Sequence, residues 1–517
     1  MNIALINFFP FRPHIEHMFY LGAQLEKAGH KVSFLRCDKL LSSCYYKEIN
    51  SYSKLSCVKC KLGGFGQYNN IDLHSLNRSN EDSPFDVKEF VKSSVYTLNR
   101  EEDSEKINSD SLNLLSKRLQ VGAQESYSSV TKFLKENDID FSFIFNGRID
   151  VMRAALESCK NLKINFACVE RTWFGDGIQL NFLDNCLSLK DLKKLSFKYS
   201  DIPLTNKEAE LAATALFKRI KGVGNNEWRQ YNKNPKVIDW SSKARLKVLI
   251  LPSSKNEQLS HKDWTNNFND FHQYFDNVID ALKLKYNDLS VNVRGHPNWS
   301  ETIYGVEGEQ INLSYMKWAK SKNYNYISSD NSASTFDLIS NCDLLLLNGS
   351  SAVYEAGYLG KASIVIGKCH YDRAQIAHPV YSESCIDKIN FEALLNRNKD
   401  EIVRNTLRFV FSFAFRYALF KESVQAINTL DYKYSANFDV DRLEKMISQL
   451  EIIPDSDELE DFEANFSNEM EVVDAVLSGY KFNNTYQSKI VDEFSVKVKP
   501  LNKVVNMLRN YLPRGDL

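Results

Sequence analysis

An α/β protein of two doubly wound lobes is predicted by three stretches of the chain. Residues 2–35 read as strand, helix, strand; the same order recurs over 140–169; and a third unit occupies Asn341–Gly367, NCDLLLLNGSSAVYEAGYLGKASIVIG. Short apolar runs bounded by turn residues and alternating with helical periodicity are what parallel strands joined by crossover helices look like. With 517 residues the chain is too long for one ordinary domain, and two large α/β lobes account for its length.

The first lobe is expected over residues 1–221. Residues 2–9 (NIALINFF) form a buried strand, His14–Lys27 carries a helical pattern closed by Ala28-Gly29, and Lys31–Leu35 is the next strand. A stretch from about 36 to 110 reads as an irregular insertion, polar beyond Tyr68, with one short helix near Val87–Ser94. The glycines of Leu62-Gly63-Gly64-Phe65-Gly66 lie there, follow no strand, and so are not a dinucleotide fingerprint. A helix over Leu112–Glu136, a strand over Asp140–Asn146, a helix over Asp150–Cys159, a strand over Ile164–Val169 and a helix over Lys207–Lys221 complete the lobe.

Residues 222–245, rich in Gly, Asn, Lys and Pro, read as a linker. The second lobe, 246–390, opens with the strand Leu246–Leu251, continues through a helix at about Phe268–Lys285 and a strand Leu289–Val293 ending in Arg294-Gly295-His296-Pro297, and contains the Asn341–Gly367 unit. Residues 391–517 are expected to be a mostly helical C-terminal region.

Composition narrows the function. Apolar residues at 43% and aromatics at 12% supply real cores. The 65 basic and 66 acidic residues nearly cancel, which argues against a general nucleic-acid surface. The N-terminus has no basic n-region, and no run reaches the roughly 18 apolar residues of a membrane span, so the expectation is a cytoplasmic protein or one peripheral on the inner face of the membrane. Ten cysteines without an export signal read as reduced thiols or metal ligands. Cys37, Cys44, Cys57 and Cys60 have a spacing that allows a structural zinc, or are plain core thiols. No H-E-x-x-H, G-x-S-x-G or Walker A sequence occurs, which removes the commonest hydrolases and P-loop enzymes.

The candidate site residues all follow strands, where open α/β sheets hold ligands. In the second lobe, Asn348-Gly349-Ser350-Ser351 opens a helix whose unpaired N–H groups and positive dipole end suit a phosphate, although Ser there also serves as a simple N-cap. His296-Pro297 is expected side by side with that turn, the imidazole hydrogen-bonding the same phosphate. Glu355 either accepts from ribose hydroxyls or is a first-turn carboxylate favoured by the helix dipole. In the first lobe, Asn146, Arg148 and Glu170 sit at strand ends. Glu170, beside Trp173, is either a general base of raised pKa or, like Asp176, an ion-pair partner of Arg148 or Arg171.

The run Ser334–Ile339, then Cys342-Asp343, Gly349-Ser350-Ser351, Glu355-Ala356 and Gly360–Ile364, resembles the C-terminal lobe of bacterial capsule and lipopolysaccharide glycosyltransferases of the GT-B fold. Phe145–Arg148 and Glu170–Phe174 resemble the first lobe of that group, and the match extends from Met1 to about Asp372. The resemblance implies two Rossmann-like lobes about a central cleft with a mostly helical tail, acceptor on the first lobe and sugar nucleotide on the second. Members using CMP-activated acids, the Kdo and sialyl transferases, carry an acidic motif ending in Gly, then His-Pro, then Ser-Ser or Ser-Thr. Glu170, His296-Pro297 and Ser350-Ser351 occur in that order. They imply a base and a CMP-phosphate site, with CMP-Kdo or a similar CMP-ulosonic acid as donor. Glu170-Arg171-Thr172 departs from the acidic motif, and Asp176-Gly177 is the competing base. The acceptor implied is a saccharide or lipid-linked saccharide, with no cofactor needed for catalysis. A UDP- or GDP-sugar enzyme and a non-catalytic assembly protein of the same fold are the alternatives.

Overall fold

The structure is a computed structural model that describes residues 1–50, 52–100, 110–221, 236, 240, 244–254, 261–264, 270–300, 302–303, 306–453, 466–482, 490, 492–496 and 498–509. The chain divides into two compact units: Met1–Ser188 with Ala418–Asp457 and Ser488–Leu517, and Leu189–Tyr417 with Glu458–Gln487.

The first unit is built on a sheet of β1 (Asn2–Ile6), β2 (Lys31–Arg36), β3 (Asp72–Ser75), β4 (Phe141–Phe145), β5 (Asn165–Arg171) and β6 (Ile178–Phe182). They lie in the order β3-β2-β1-β4-β5-β6, parallel except for β6, which runs antiparallel to β5. The central strands β1 and β4 are mostly apolar because helices cover both faces: Ile3, Leu5, Phe143 and Ile144 have no exposed surface. The helix His14–Lys27 starts and ends where its sequence pattern does. The expected irregular insertion is instead largely ordered. It contains β3 and the helices Tyr45–Ile49, Lys54–Gly63 and Val87–Asn99. As an edge strand of sequence DLHS, β3 lacks the apolar run that marks its neighbours.

The second unit carries β7 (Leu246–Leu251), β8 (Leu289–Arg294), a short hairpin of β9 (Thr302–Ile303) and β10 (Val306–Glu307), β11 (Asn325–Ile327), β12 (Leu344–Leu347), β13 (Ala362–Ile366) and β14 (His378–Val380). Its main sheet is wholly parallel, in the order β11-β8-β7-β12-β13-β14. One core gathers Val248, Ile250, Phe275, Ile279, Val293, Trp299, Leu344, Leu346 and Ile364 between sheet and helices. Counted within each unit, both sheets run 3-2-1-4-5-6. That is the doubly wound, Rossmann-like order, in which ligands bind beyond the strand ends where the order reverses. The reversal falls between β1 and β4 in the first unit and between β7 and β12 in the second. Two Rossmann-like lobes are therefore present, as the sequence predicts.

The unit boundary falls at Ser188/Leu189 rather than at 221. The helix Asn206–Lys221 packs against Lys399–Phe411 and Phe466–Leu477 of the second unit. The expected linker lies almost wholly outside the described residues. The C-terminal region contains helices but does not form one body. After the helices Phe391–Leu395 and Lys399–Phe411, the chain returns to the first unit with a hairpin of β15 (Val424–Ala426) and β16 (Tyr432–Tyr434) and the helix Val440–Gln449. Phe466–Leu477 rejoins the second unit, where Glu469, fully buried, accepts from Arg408 at 2.7 and 2.6 Å.

Candidate functional site

In the second unit the switch point is closed by one hydrogen bond: Asn348, directly after β12, accepts through Oδ1 from the backbone N–H of Ser253, two residues past β7, at 2.6 Å. Asn348 is buried, and its Nδ2 has no partner among the described residues. Gly349 follows with φ +105, which admits glycine without strain. Ser350 accepts weakly from the N–H of Ala352 at 3.4 Å, and its carbonyl receives the Tyr371 hydroxyl at 2.9 Å. The helix beyond is only six residues, Val353–Tyr358, so the serines belong to a tight turn rather than to the N-terminus of a long helix.

The cation at this turn was not marked in the sequence. Arg219, in the last turn of Asn206–Lys221, donates from Nη2 to Ser351 Oγ and from Nε to Glu355 Oε1, both at 2.9 Å. Glu355 is therefore held by a guanidinium, while its Oε2 is buried without a partner among the described residues. His296 follows β8, and β7 lies between β8 and β12. The expected side-by-side placement of His296-Pro297 and the serine turn is thus corrected to two strand spacings, about 9–10 Å. Pro297 opens a 3-10 turn through Ser300, and His296 Nδ1 accepts from the N–H of Asn298 at 3.2 Å.

In the first unit the polar groups converge on Glu170, at the end of β5. Its Oε1 is bound by His14 Nε2 and by the N–H of Arg171, and its Oε2 by Asn146 Nδ2 at 2.8 Å. Asn146 ends β4 with φ 59, and Gly147 follows with φ 72. A Cβ on Gly147 would come within 2.4 Å of Cys168 Sγ, so the turn that aims Asn146 at Glu170 requires glycine there. His14 opens the helix that follows β1, so His14, Asn146 and Glu170 bracket the switch point between β1 and β4. His14 is 8% exposed, packs edge-on against Phe145, and has no partner at Nδ1 among the described residues.

Burial pushes the Glu170 carboxyl up, but the charge and hydrogen bond of His14 together with Asn146 and the Arg171 N–H outweigh it and hold the carboxyl at about 2. This corrects the raised pKa expected beside Trp173, whose ring is more than half exposed. His17, one turn on, is held well below the usual imidazole range by burial and by the neighbouring His14. Arg148 donates to Ser93 and Thr97 at 2.8 and 3.2 Å. Asp176 accepts from the backbone N–H of Ala426 at 2.8 Å and so fastens its loop to the β15–β16 hairpin.

Cys37, Cys44, Cys57 and Cys60 line one small cavity of ≈ 30 Å³. Burial pushes the Cys37 thiol up and places Cys44 far above its ordinary range, as for protonated core thiols. Among the described residues no group of three or more His, Cys, Asp or Glu is placed to hold a metal ion. No described helix is long and apolar enough to cross a membrane.

No protein-family model matches the chain, and no curated protein matches it. Solved structures do. A Thermosulfurimonas dismutans KpsC β-Kdo 2,4 transferase is similar at 14% identity, over 57% of this chain and 82% of its own, with a TM-score of 0.35. A Methanocaldococcus jannaschii UDP-GlcNAc 2-epimerase, solved with UDP-GlcNAc and UDP, is similar at 12% identity over 80% of this chain and 100% of its own, TM-score 0.30. MurG of Acinetobacter baumannii is similar at 10% identity over 79% of this chain and 94% of its own, TM-score 0.26. At these identities and scores the likenesses do not say what this chain acts on.

Proposed function

We propose that the chain is a glycosyltransferase of the two-lobe GT-B kind that moves a sugar from a nucleotide-activated donor to a saccharide hydroxyl. The observation that carries this reading is the His14–Glu170 couple at the switch point of the first sheet. Glu170 is ionised at neutral pH and accepts at Oε1 from His14 Nε2, so the form of His14 that can act as a base keeps its proton on Nε2 and offers a lone pair on Nδ1. An acceptor hydroxyl that loses its proton to Nδ1 leaves an imidazolium beside a fixed carboxylate. This is the division of labour that makes a histidine–carboxylate couple an effective base. Glu170 is then the orienting group, and His14 takes the proton.

The second unit supplies the donor side of the reading. Arg219, the hydroxyls of Ser350 and Ser351, the turn at Gly349, and His296 present donors around the end of β12 and β8, suited to the phosphate charge that grows as the nucleotide leaves. The favoured donor is CMP-Kdo or a similar CMP-ulosonic acid, on the order in which Glu170, His296-Pro297 and Ser350-Ser351 follow one another along the chain. A structural zinc on the four cysteines and peripheral membrane contact are no part of this chemistry. Thermal-shift titration with CMP, UDP and GDP separates the donors: stabilisation by CMP alone supports the favoured one, stabilisation by UDP or GDP replaces it, and no response to any nucleotide contradicts the transferase reading.

A further inference from the structure

We propose that a cavity in the first unit walled by Arg12, Glu16, Tyr68, Tyr432, Tyr434 and Phe494 binds an uncharged saccharide. Its volume is ≈ 400 Å³, within the range of small-ligand sites. That this saccharide is the acceptor rests on the transferase reading; that it binds does not.

Among the described residues two buried polar atoms in this cavity's walls have no partner: the hydroxyl of Tyr68, a residue 2% exposed, and Oε2 of Glu16. A buried donor and a buried acceptor left unmade are costly, and a ligand that satisfies both recovers that cost. Burial holds the Tyr68 hydroxyl far above the ordinary phenol range, so it remains a donor. The Tyr68 ring is fixed by stacking on Phe19 at 3.8 Å, and the ring of Phe494 forms another side. Aromatic faces with a hydroxyl donor and a carboxylate acceptor match the alternating C–H faces and hydroxyl edges of a sugar ring.

Charge decides which sugar. Among the described residues of the cavity wall Arg12 is the one cationic side chain, and it is already paired with Glu16 at 2.5 Å and with Asp431 at 3.1 Å. Glu493 adds a further carboxylate, 3.8 Å from Lys433. Among the described wall residues an anionic ligand finds no uncommitted cation and meets the carboxylates of Glu16 and Glu493, whereas an uncharged polyol meets hydrogen-bonding groups and ring faces. The cavity adjoins the base: His17, one turn beyond His14, bonds the Tyr434 hydroxyl through Nδ1 at 2.9 Å and packs on Tyr432 at 4.7 Å.

Saturation-transfer NMR on the full chain without nucleotide tests this, using lactose, maltose and N,N′-diacetylchitobiose as uncharged probes and digalacturonate as the anionic one. Expected is binding of at least one uncharged probe, weaker or no binding of digalacturonate, and a loss of about tenfold in affinity for Tyr68→Phe with unchanged melting. Failure of every uncharged probe, tighter binding of digalacturonate, or parental affinity in Tyr68→Phe would overturn the proposal. A chain that binds a neutral probe yet binds no nucleotide would keep this site and lose the transferase reading.

Discussion

Glu170 and His14, 156 residues apart, meet at the switch point of the first sheet, with the carboxylate pinned on both oxygens and Nδ1 of the imidazole without a partner among the described residues. Their separate substitutions should therefore resemble one another. His14→Ala and Glu170→Gln are each expected to lower kcat for sugar transfer by about 10²–10⁴-fold, the range of a lost general base. Nucleotide affinity should stay at the parental value, since the proposed nucleotide groups all lie in the other unit. Steady-state kinetics alongside nucleotide titration checks both halves.

The same pairing predicts a pH dependence of stability. The folded Glu170 carboxyl sits at about 2, below its ordinary value of 4.5. A lowered carboxyl pKa contributes stability that is fully present above about 4.5 and is lost as pH falls toward about 2. Urea melts between pH 7 and pH 2.5 are expected to show Glu170→Gln losing less stability over the acid window than the parent protein. Parallel losses would mean that the carboxylate is not held ionised.

Arg219 predicts a binding defect of a different kind. It holds Ser351 and Glu355 at the turn after β12, and under the proposed function its charge lies at the donor phosphate. Arg219→Gln is expected to weaken nucleotide binding by about 10–100-fold, as for the loss of a charge-assisted hydrogen bond. Calorimetric titration gives the number, and unchanged affinity would remove Arg219 from the site.

Arg408 and Glu469 make a purely structural prediction. Their buried pair joins Phe466–Leu477 to Lys399–Phe411, and Glu469 Oε1 also accepts from the N–H of Leu204 at 3.2 Å. Removing one member leaves the other charge buried and alone, so Glu469→Ala should cost about 3–5 kcal/mol in chemical denaturation.

The doubly wound fold was legible because its central strands are nearly continuous apolar runs: LKVLIL, broken only by Lys247, and LLLL announce β7 and β12 without help. β3 was not, since DLHS at a sheet edge needs no apolar face. The unit boundary was hidden because the helix Asn206–Lys221 continues the first lobe in sequence but buries Ala212, Ala213 and Leu216 in the second unit. Glu170, Asn146 and the Asn348–Ser351 turn could be found because strand ends are positions a sequence reveals. His14 had the same kind of signal, opening the helix directly after the first strand at the switch point. Arg219 had none, because its contacts with Ser351 and Glu355 span 132 and 136 residues. The sign of the Glu170 shift was equally out of reach, since it depends on His14 and not on the adjacent Trp173.

The central claim is that this chain transfers a sugar with His14 as the proton acceptor, and single-turnover transfer from CMP-Kdo to a saccharide acceptor panel, parent against His14→Ala, tests it most directly. The account predicts product from the parent and at least about a hundredfold slower transfer from His14→Ala at saturating donor. Equal rates in the two proteins, or release of CMP with no sugar attached to any acceptor, would contradict it.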